Sequence, residues 1–302
     1  MGKSDKLSII VDETTDISTT EQVSVCLRFV DEGRIRETFI GIHDIKSTTG
    51  EALFELICEV LNSNGFQFKS IVGQCYDGAS NMSGKVKGVA TRVREVAPHA
   101  LYVHCYGHRL NLALQDTLQD NVCVRNELGI LQTLHNFFNT PKKEGILSDV
   151  IVPDRFSESG SAMIKLRPQA EIHWTCRWEA IKAVDQQSVR MLLALTVLSE
   201  DKDSKTSTDA LGLLKAMLDF EFSLGLQVLK VIFSNTNALS RYLQGQEVDV
   251  MSAKTTCDST VLTLEKCRSD ESFNLVLFRT STPYEAHVSE INVDDLPTSS
   301  IL

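Results

Sequence analysis

Asp12 in VDETTDIS and Asp77 in CYDGASNMSG each follow a short run of apolar and β-branched residues, LSIIV (7–11) and SIVGQCY (70–76). Two acids at the ends of neighbouring strands can share a divalent cation, Mg2+ or Mn2+. A pair of such cations roughly 3.5–4 Å apart would clamp the attacking and leaving oxygens of a phosphodiester displacement. Gly78 and Gly84, just after Asp77, would let backbone or substrate come close. Spacing alone favours a plainer role for each acid, as a turn former or a helix cap.

Sulfur, imidazole and basic side chains supply further candidates. Cys105-x-x-His108 and His173-x-x-Cys176 offer two N/S pairs, the raw material of a tetrahedral zinc site. The pairs lie much farther apart than the ligands of a zinc finger, so each is read as part of its own element and zinc is not expected. His104, beside Cys105, is read equally as a packed or a functional residue. Lys85, Lys87, Arg92, Arg94 and Arg109 form a basic cluster after Asp77, where a nucleic-acid backbone would run if the acids act on one. A solvated helix face explains the same charges.

The elements that must hold these residues follow from hydrophobic periodicity. LSIIV reads as a buried strand ending at Asp12, and QVSVCLRFV (22–30) alternates with Val23, Val25, Leu27 and Phe29 on one face. DEGR (31–34) turns into RETFIGIH (36–43) to make a hairpin. The period then changes: residues 48–65 place Leu53, Leu56, Ile57, Val60 and Leu61 at helical spacing and stop at Gly65. A fourth strand (70–77), a basic helical stretch (80–96) ended by Pro98, a fifth strand (100–105) and helices near 107–119 and 124–139 complete this part. Three antiparallel strands followed by helix-linked parallel ones give an α/β, RNase H-like mixed sheet over residues 1–140. Residues 141–175 read as a loop or linker, 176–279 as an all-helical insertion region, and 280–302 as a frayed tail. Within the insertion, one helix is expected over 176–199, a polar break at 200–209, one long helix or two joined near Gly225 over 213–244, and another over 247–269. The apolar stripe from Leu213 to Leu243 reads as helix packing rather than a partner groove.

Composition narrows the classes. The chain has 302 residues, 42% of them hydrophobic, enough to bury a real core, and no apolar run approaches the roughly 20 residues that span a bilayer. The polar start, MGKSDK, does not resemble a secretory signal, and eight scattered cysteines suit reduced thiols in nucleus or cytosol rather than a secreted disulfide framework. The net charge of −10 opposes wrapping of nucleic acid by the overall field. The acid is uneven: residues 200–302 carry 16 acidic and 9 basic side chains against 24 and 21 in the first 199, so a polyanion would meet the first two-thirds.

Four blocks in one order, VDETTDIS (11–18), GQCYDGASNMSG (73–84), HCYGHRLNLAL (104–114) and RW (177–178), resemble the hAT transposase superfamily, in its transposon-derived branch typified by zinc finger MYM-type protein 1. The resemblance runs over roughly residues 7–270 and is strongest to 115. It implies that Asp12 and Asp77 are the first two catalytic carboxylates and metal ligands, with Asp16 closing the first word. Cys105 and His108 match the family's Cys-x-x-His pair, in which His108 would bond a phosphate or orient a carboxylate. Arg177 and Trp178 match the Arg-Trp motif, whose tryptophan stacks on a flipped base, a contact worth roughly 1–3 kcal/mol. Lys85, Lys87 and Arg109 would meet DNA beside it. The family's third carboxylate is a Glu after the helical insertion, and Glu265, Glu271, Glu285 and Glu290 stand in no matching context. The chain is expected to stop in or just after that insertion, without the N-terminal zinc-finger module.

The expected function is therefore that of a transposon-derived protein with an incomplete site, no longer cutting DNA but interacting with nucleic acid or protein in the nucleus. The alternatives are an active metal-dependent DNA nuclease or transposase with a third carboxylate from elsewhere, and a gene fragment without an independent role. DNA and a second copy, met through the helical region, are the expected partners. A membrane and a small-molecule substrate are not, and the alternative location is the cytoplasm.

Overall fold

In the computed structural model, residues 6–15, 20–152, 174–246 and 248–290 are described, except for the side chains of residues 15, 118–119, 174–176 and 282–290. Strand β1 (Leu7–Thr15) buries Leu7, Ile9 and Val11 by simple alternation. It pairs antiparallel with β2 (Glu21–Asp31), whose Val23, Val25 and Leu27 share that face. β3 (Arg34–Ile45) returns from β2 through Glu32 and Gly33, with φ of 48° and 76°. Both central residues lie in the left-handed region, which a right-twisted hairpin favours. Helix α1 (Gly50–Ser63) starts where the Thr49 hydroxyl accepts from the Ala52 amide, and it buries Leu53, Ile57, Val60 and Leu61.

β4 (Ile71–Tyr76) then enters the sheet parallel to β1, and β5 (Leu101–His104) joins parallel to β4. The sheet order is β3-β2-β1-β4-β5. This is the mixed sheet expected from the sequence, three antiparallel strands followed by two parallel ones. Its core is formed by one sheet face together with α1 and α3 (Val89–Val96). Ile9, Val23, Val25, Leu53, Ile57 and Val93 have no accessible surface there. Each such side chain contributes roughly 1.5–3 kcal/mol relative to an exposed one.

Several helices depart from their expected bounds. The basic stretch 80–96 is two helices, α2 (Ser80–Ser83) and α3, separated by a turn from Gly84 to Gly88 in which the Gly88 amide bonds the Gly84 carbonyl. The start of α1 presses on this turn: a Cβ at Gly50 would collide with the Lys87 carbonyl oxygen and lie 2.8 Å from that of Asn81. After α4 (Tyr106–Asp120) and α5 (Val122–Phe138), the expected loop opens with α6 (Pro141–Asp149), which buries Leu147. Pro141 is the first helical residue, where its fixed φ suits the helix and its missing N–H costs nothing, so it starts a helix rather than a loop. The remainder of that expected loop, residues 153–173, lies outside the described residues.

The single helix expected over 176–199 is α7 (Trp174–Gln186) and α8 (Ser188–Ser199). α9 (Ser204–Met217) begins inside the expected polar break because Asp203 caps it through the Thr206 amide. The next break falls at Leu218 and Asp219, ahead of α10 (Phe220–Leu243), while Gly225 lies within α10. α11 (Val250–Lys266) and α12 (Asp270–Glu290) follow. The expected tail is thus helical to residue 290, its helix started by Ser269, whose hydroxyl accepts from the Ser272 amide. Residues 291–302 lie outside the described residues.

Two compact units result. One comprises Met1–Ala113 and Arg241–Ala253, the other Leu114–Ser240 and Lys254–Leu302. The first boundary falls within α4, earlier than the expected residue 140, because α5 gives Leu131, Leu134, Phe137 and Phe138 to the helical core. Among the described residues no helix is long and apolar enough to cross a membrane.

Within the helical unit Glu127 of α5 is buried against Gly225, and its Oε2 makes no hydrogen bond among the described residues. Burial first, then Asp219 and Glu221, push its carboxyl up to about 7 from 4.5. The folded state holds this proton more tightly than the unfolded chain. Its contribution to stability is therefore greatest below the ordinary glutamate range and is lost as pH rises through 4.5 towards 7. The urea midpoint is expected to fall between about pH 5 and about pH 8, and Glu127→Gln should flatten that fall. A variant with the same pH profile as the parent would refute the assignment. Gly50→Ala should lower stability by about 1–3 kcal/mol through overpacking, read from the same transition. Gly129→Ala, whose added Cβ meets nothing within 4 Å, should not be destabilising.

Candidate functional site

The pairing of β1 with β4 brings the two acids singled out in the sequence to the same end of the sheet. Leu7 opposes Ile71, an irregularity follows, and Ser8, Ile9 and Ile10 then oppose Gly73, Gln74 and Cys75. Continuing that register by two residues sets Asp12 beside Asp77. Gly73 makes room for the shift, since a Cβ there would lie 2.5 Å from the Ser8 hydroxyl. The Asp12 side chain is exposed, and its carbonyl accepts from the Ser24 hydroxyl of β2 at 3.3 Å. Asp77 is held more tightly. Its Oδ1 accepts from the Ala79 amide at 3.1 Å, and its carbonyl accepts from the Tyr102 hydroxyl of β5 at 2.8 Å.

A third acid that sequence reasoning passed over stands at the same edge. Glu13 continues the buried alternation Leu7, Ile9, Val11 and is half-buried. The Asn81 side-chain amide donates to its Oε1 at 2.9 Å, and to the Thr48 carbonyl at 2.8 Å. Burial raises the Glu13 pKa most; Asp77 adds to the rise, Asn81 opposes it, and Glu21 and Asp12 add smaller repulsions. The signal that could have found it is the same period-2 pattern that located the strand.

Cys105 and His108 flank the acids on the β5 side. The Cys105 amide donates to the Tyr76 carbonyl at 2.8 Å, which in a parallel ladder makes Cys105 the neighbour of Asp77. Its sulfur is stabilised by the main-chain amides of Gly107 and His108 in the first turn of α4, and it interacts strongly with the Cys75 thiol. The interaction with Cys75 is the largest cause drawing the Cys105 thiol down, against the opposing effect of burial, and it drives the Cys75 thiol up. The His108 ring lies 5.3 Å from that of His104. His104 packs under Gly78, where an added Cβ would come within 2.6 Å of its Cε1. Burial first, then His108 and Arg109, lower the His104 pKa. His104 is therefore packed against the turn that carries Asp77, and Gly78 is needed for its approach.

Of the basic cluster, Lys85, Lys87 and Arg109 are exposed. Arg92 binds the Lys87 carbonyl and reaches Glu51 at 3.8 Å, and Arg94 turns back to the Ala90 carbonyl, so these two support the local fold. Arg177 and Trp178 belong to the helical unit, in the first turns of α7, where Trp178 is packed against that unit's apolar core. Asp16, His173 and the Cys176 side chain lie outside the described residues. Glu265 and Glu271 are exposed on α11 and α12 of the helical unit, and the side chains of Glu285 and Glu290 are outside the description. Among the described residues no group of three or more His, Cys, Asp or Glu is arranged to hold a metal ion. What the sheet edge offers is a pair of carboxylates, a donor set that suits Mg2+ when water and phosphate oxygens fill the remaining positions.

Removing the Asn81 amide should expose the strain at Glu13. Asn81→Ala is expected to cost about 1–3 kcal/mol near neutral pH, because a buried carboxylate loses its donor. The sign follows from a folded pKa already above 4.5 and raised further in the variant, so the loss should shrink as pH falls and Glu13 takes up its proton. Urea unfolding of both proteins at acid and neutral pH measures this, and an equal loss at both would refute it.

Comparison with known proteins agrees with this architecture. Residues 2–88 match the family model described as ZMYM1/FAM200, RNase-like domain. The human protein named 52 kDa repressor of the inhibitor of the protein kinase is 29% identical over 251 residues, covering 82% of this chain and 33% of that protein. The mouse protein of the same name is 27% identical over 265 residues, covering 86% of this chain and 35% of its own length. The chain thus spans about a third of the length of these curated relatives. The sheet order, the Asp12 and Asp77 words and these matches make residues 2–88 similar to the ZMYM1/FAM200 RNase-like domain.

Proposed function

We propose that the chain acts as an interaction module in the nucleus, contacting nucleic acid or protein through an RNase H-like unit that no longer cuts DNA. The observation that carries this reading is the state of the acids at the sheet edge. Asp12 and Asp77 come to the same end of the sheet, but the further acid beside them, Glu13, is half-buried and its carboxylate is taken up by the Asn81 amide, so it is not free to complete a two-metal clamp. Exposed Lys85 and Lys87 follow Asp77 on the same unit, and Arg109 stands one residue beyond His108. They provide phosphate contacts that need no chemistry. The curated relatives are named as repressors, a kind of role that works through contacts.

A second reading keeps catalysis. The register that sets Asp12 beside Asp77 favours it, because two carboxylates with a substrate phosphate can hold a divalent cation. Asp12 and Asp77 would hold Mg2+ or Mn2+, which would supply Lewis-acid stabilisation at a phosphodiester. His108 and Cys105 would flank it, and a third carboxylate would come from outside the described residues. Arg177 and Trp178 would serve a flipped base in this reading, as in the family.

One set of measurements separates the two. Labelled single-stranded and duplex DNA are titrated with the purified chain at several salt concentrations, then incubated with Mg2+ or Mn2+, alongside Asp77→Ala. The proposal expects binding that weakens with salt, and Lys85→Glu with Lys87→Glu should reduce the slope of log K against log salt by about 1 per lost phosphate contact. It also expects no nicking that depends on Asp77. Asp77-dependent nicking would replace it with the catalytic reading. Absence of DNA binding would remove nucleic acid as the partner and leave protein.

A further inference from the structure

Cys105 was read in the sequence as half of a Cys-x-x-His pair and Cys75 only as one of eight scattered cysteines, yet the fold brings the two together. Gln74 and Tyr76 of β4 point into the core, so Cys75 between them faces the opposite side of the sheet, the side that also carries Asp12 and Asp77. Cys75 opposes Val103 of β5, and Cys105 lies two residues further along the same face. The amide bond from Cys105 to Tyr76 holds the chain there as it turns into α4. The two thiols interact strongly with each other across the β4–β5 ladder, and the Cys105 sulfur lies 3.8 Å from where a Cβ on Gly107 would stand. Both cysteines are partly accessible, so a small oxidant can reach them. Cys26 is on this face as well, but it sits across Ile10 of β1 and so is one strand removed.

We infer that Cys75 and Cys105 are a modification site: a vicinal thiol pair that a hydroperoxide closes reversibly to a disulfide. The Cys105 sulfur, held by two main-chain N–H groups of α4, attacks the terminal oxygen of the peroxide. The O–O bond breaks, an alcohol or water leaves with the proton, and a sulfenic acid remains on Cys105. The Cys75 thiol then displaces the sulfenic oxygen as water and the S–S bond forms. Two thiols lose two hydrogens in all, and the peroxide is reduced. The bridge ties the end of β4 to the start of α4, and with it the turn that bears His108 and Arg109.

Trypsin separates the partners cleanly, because Cys75 falls in the peptide 70–85 and Cys105 in 95–109, each with a single cysteine. The reduced full chain is exposed to hydrogen peroxide at molar equivalence, free thiols are alkylated, and the digest is mapped by mass. The expected result is a 70–85/95–109 cross-link lighter by two hydrogens, with loss of alkylation at both cysteines. Dithiothreitol should restore both, and neither Cys75→Ser nor Cys105→Ser should give the cross-link. Oxidation of Cys105 to a sulfinic acid while Cys75 remains fully alkylated would overturn the inference. So would cross-links that join other cysteines instead. The map of the unsubstituted protein decides the matter even if a variant folds poorly.

Discussion

The parallel pairing of β1 with β4 is the constraint on which the candidate site rests. Its register is not uniform: after Leu7 and Ile71 the ladder slips by one residue, and from Ser8 onward each β1 residue opposes the β4 residue 65 positions later. Side chains alternate along a strand, so a ladder without the slip would set Asp12 opposite Tyr76, which is buried in the core. The slip instead sets a register that, carried two residues past the last pair, Ile10 and Cys75, aligns Asp12 with Asp77 on the other face. Gly73 is the residue at which the slip becomes possible, because any side chain there would press on Ser8.

Alternation also separates neighbours that look equivalent. Asp12 and Glu13 are adjacent acids in one word, yet one is exposed and the other is half-buried and bonded to Asn81. Their chemistry diverges for that reason alone. Burial penalises the charged form of Glu13, while Asp12 keeps contact with water. The same logic governs Glu127 in the helical unit, where Gly225 opens a space that a carboxyl fills, its Oε2 making no hydrogen bond among the described residues. Each unit therefore carries a carboxyl whose burial opposes its charge, in a chain that is otherwise rich in solvated acid.

Much of the fold was legible because period and punctuation agree. Strand alternation in QVSVCLRFV, the Glu-Gly turn and the helical spacing of Leu53, Ile57, Val60 and Leu61 each point to the element that forms. The helical region was less legible where one residue type serves two purposes. Pro141 opens a helix although prolines elsewhere suggest a loop, and Asp203 caps a helix inside what reads as a polar break. Gly225 is a natural hinge by composition, but in the fold it is a contact point within one continuous helix.

By itself the sequence determined the order of elements, the acids at the ends of β1 and β4, and the resemblance carried by four short words. Local pattern suffices for these, since periodicity, capping and turn chemistry act over a few residues. Only the tertiary structure decided which side chains share a face. The register slip that joins Asp12 to Asp77, the pairing of Cys75 with Cys105 and the burial of Glu13 and Glu127 all depend on contacts between residues far apart in the chain. No window of sequence contains both partners of such a contact, and a shift of one residue in the ladder would reverse its outcome.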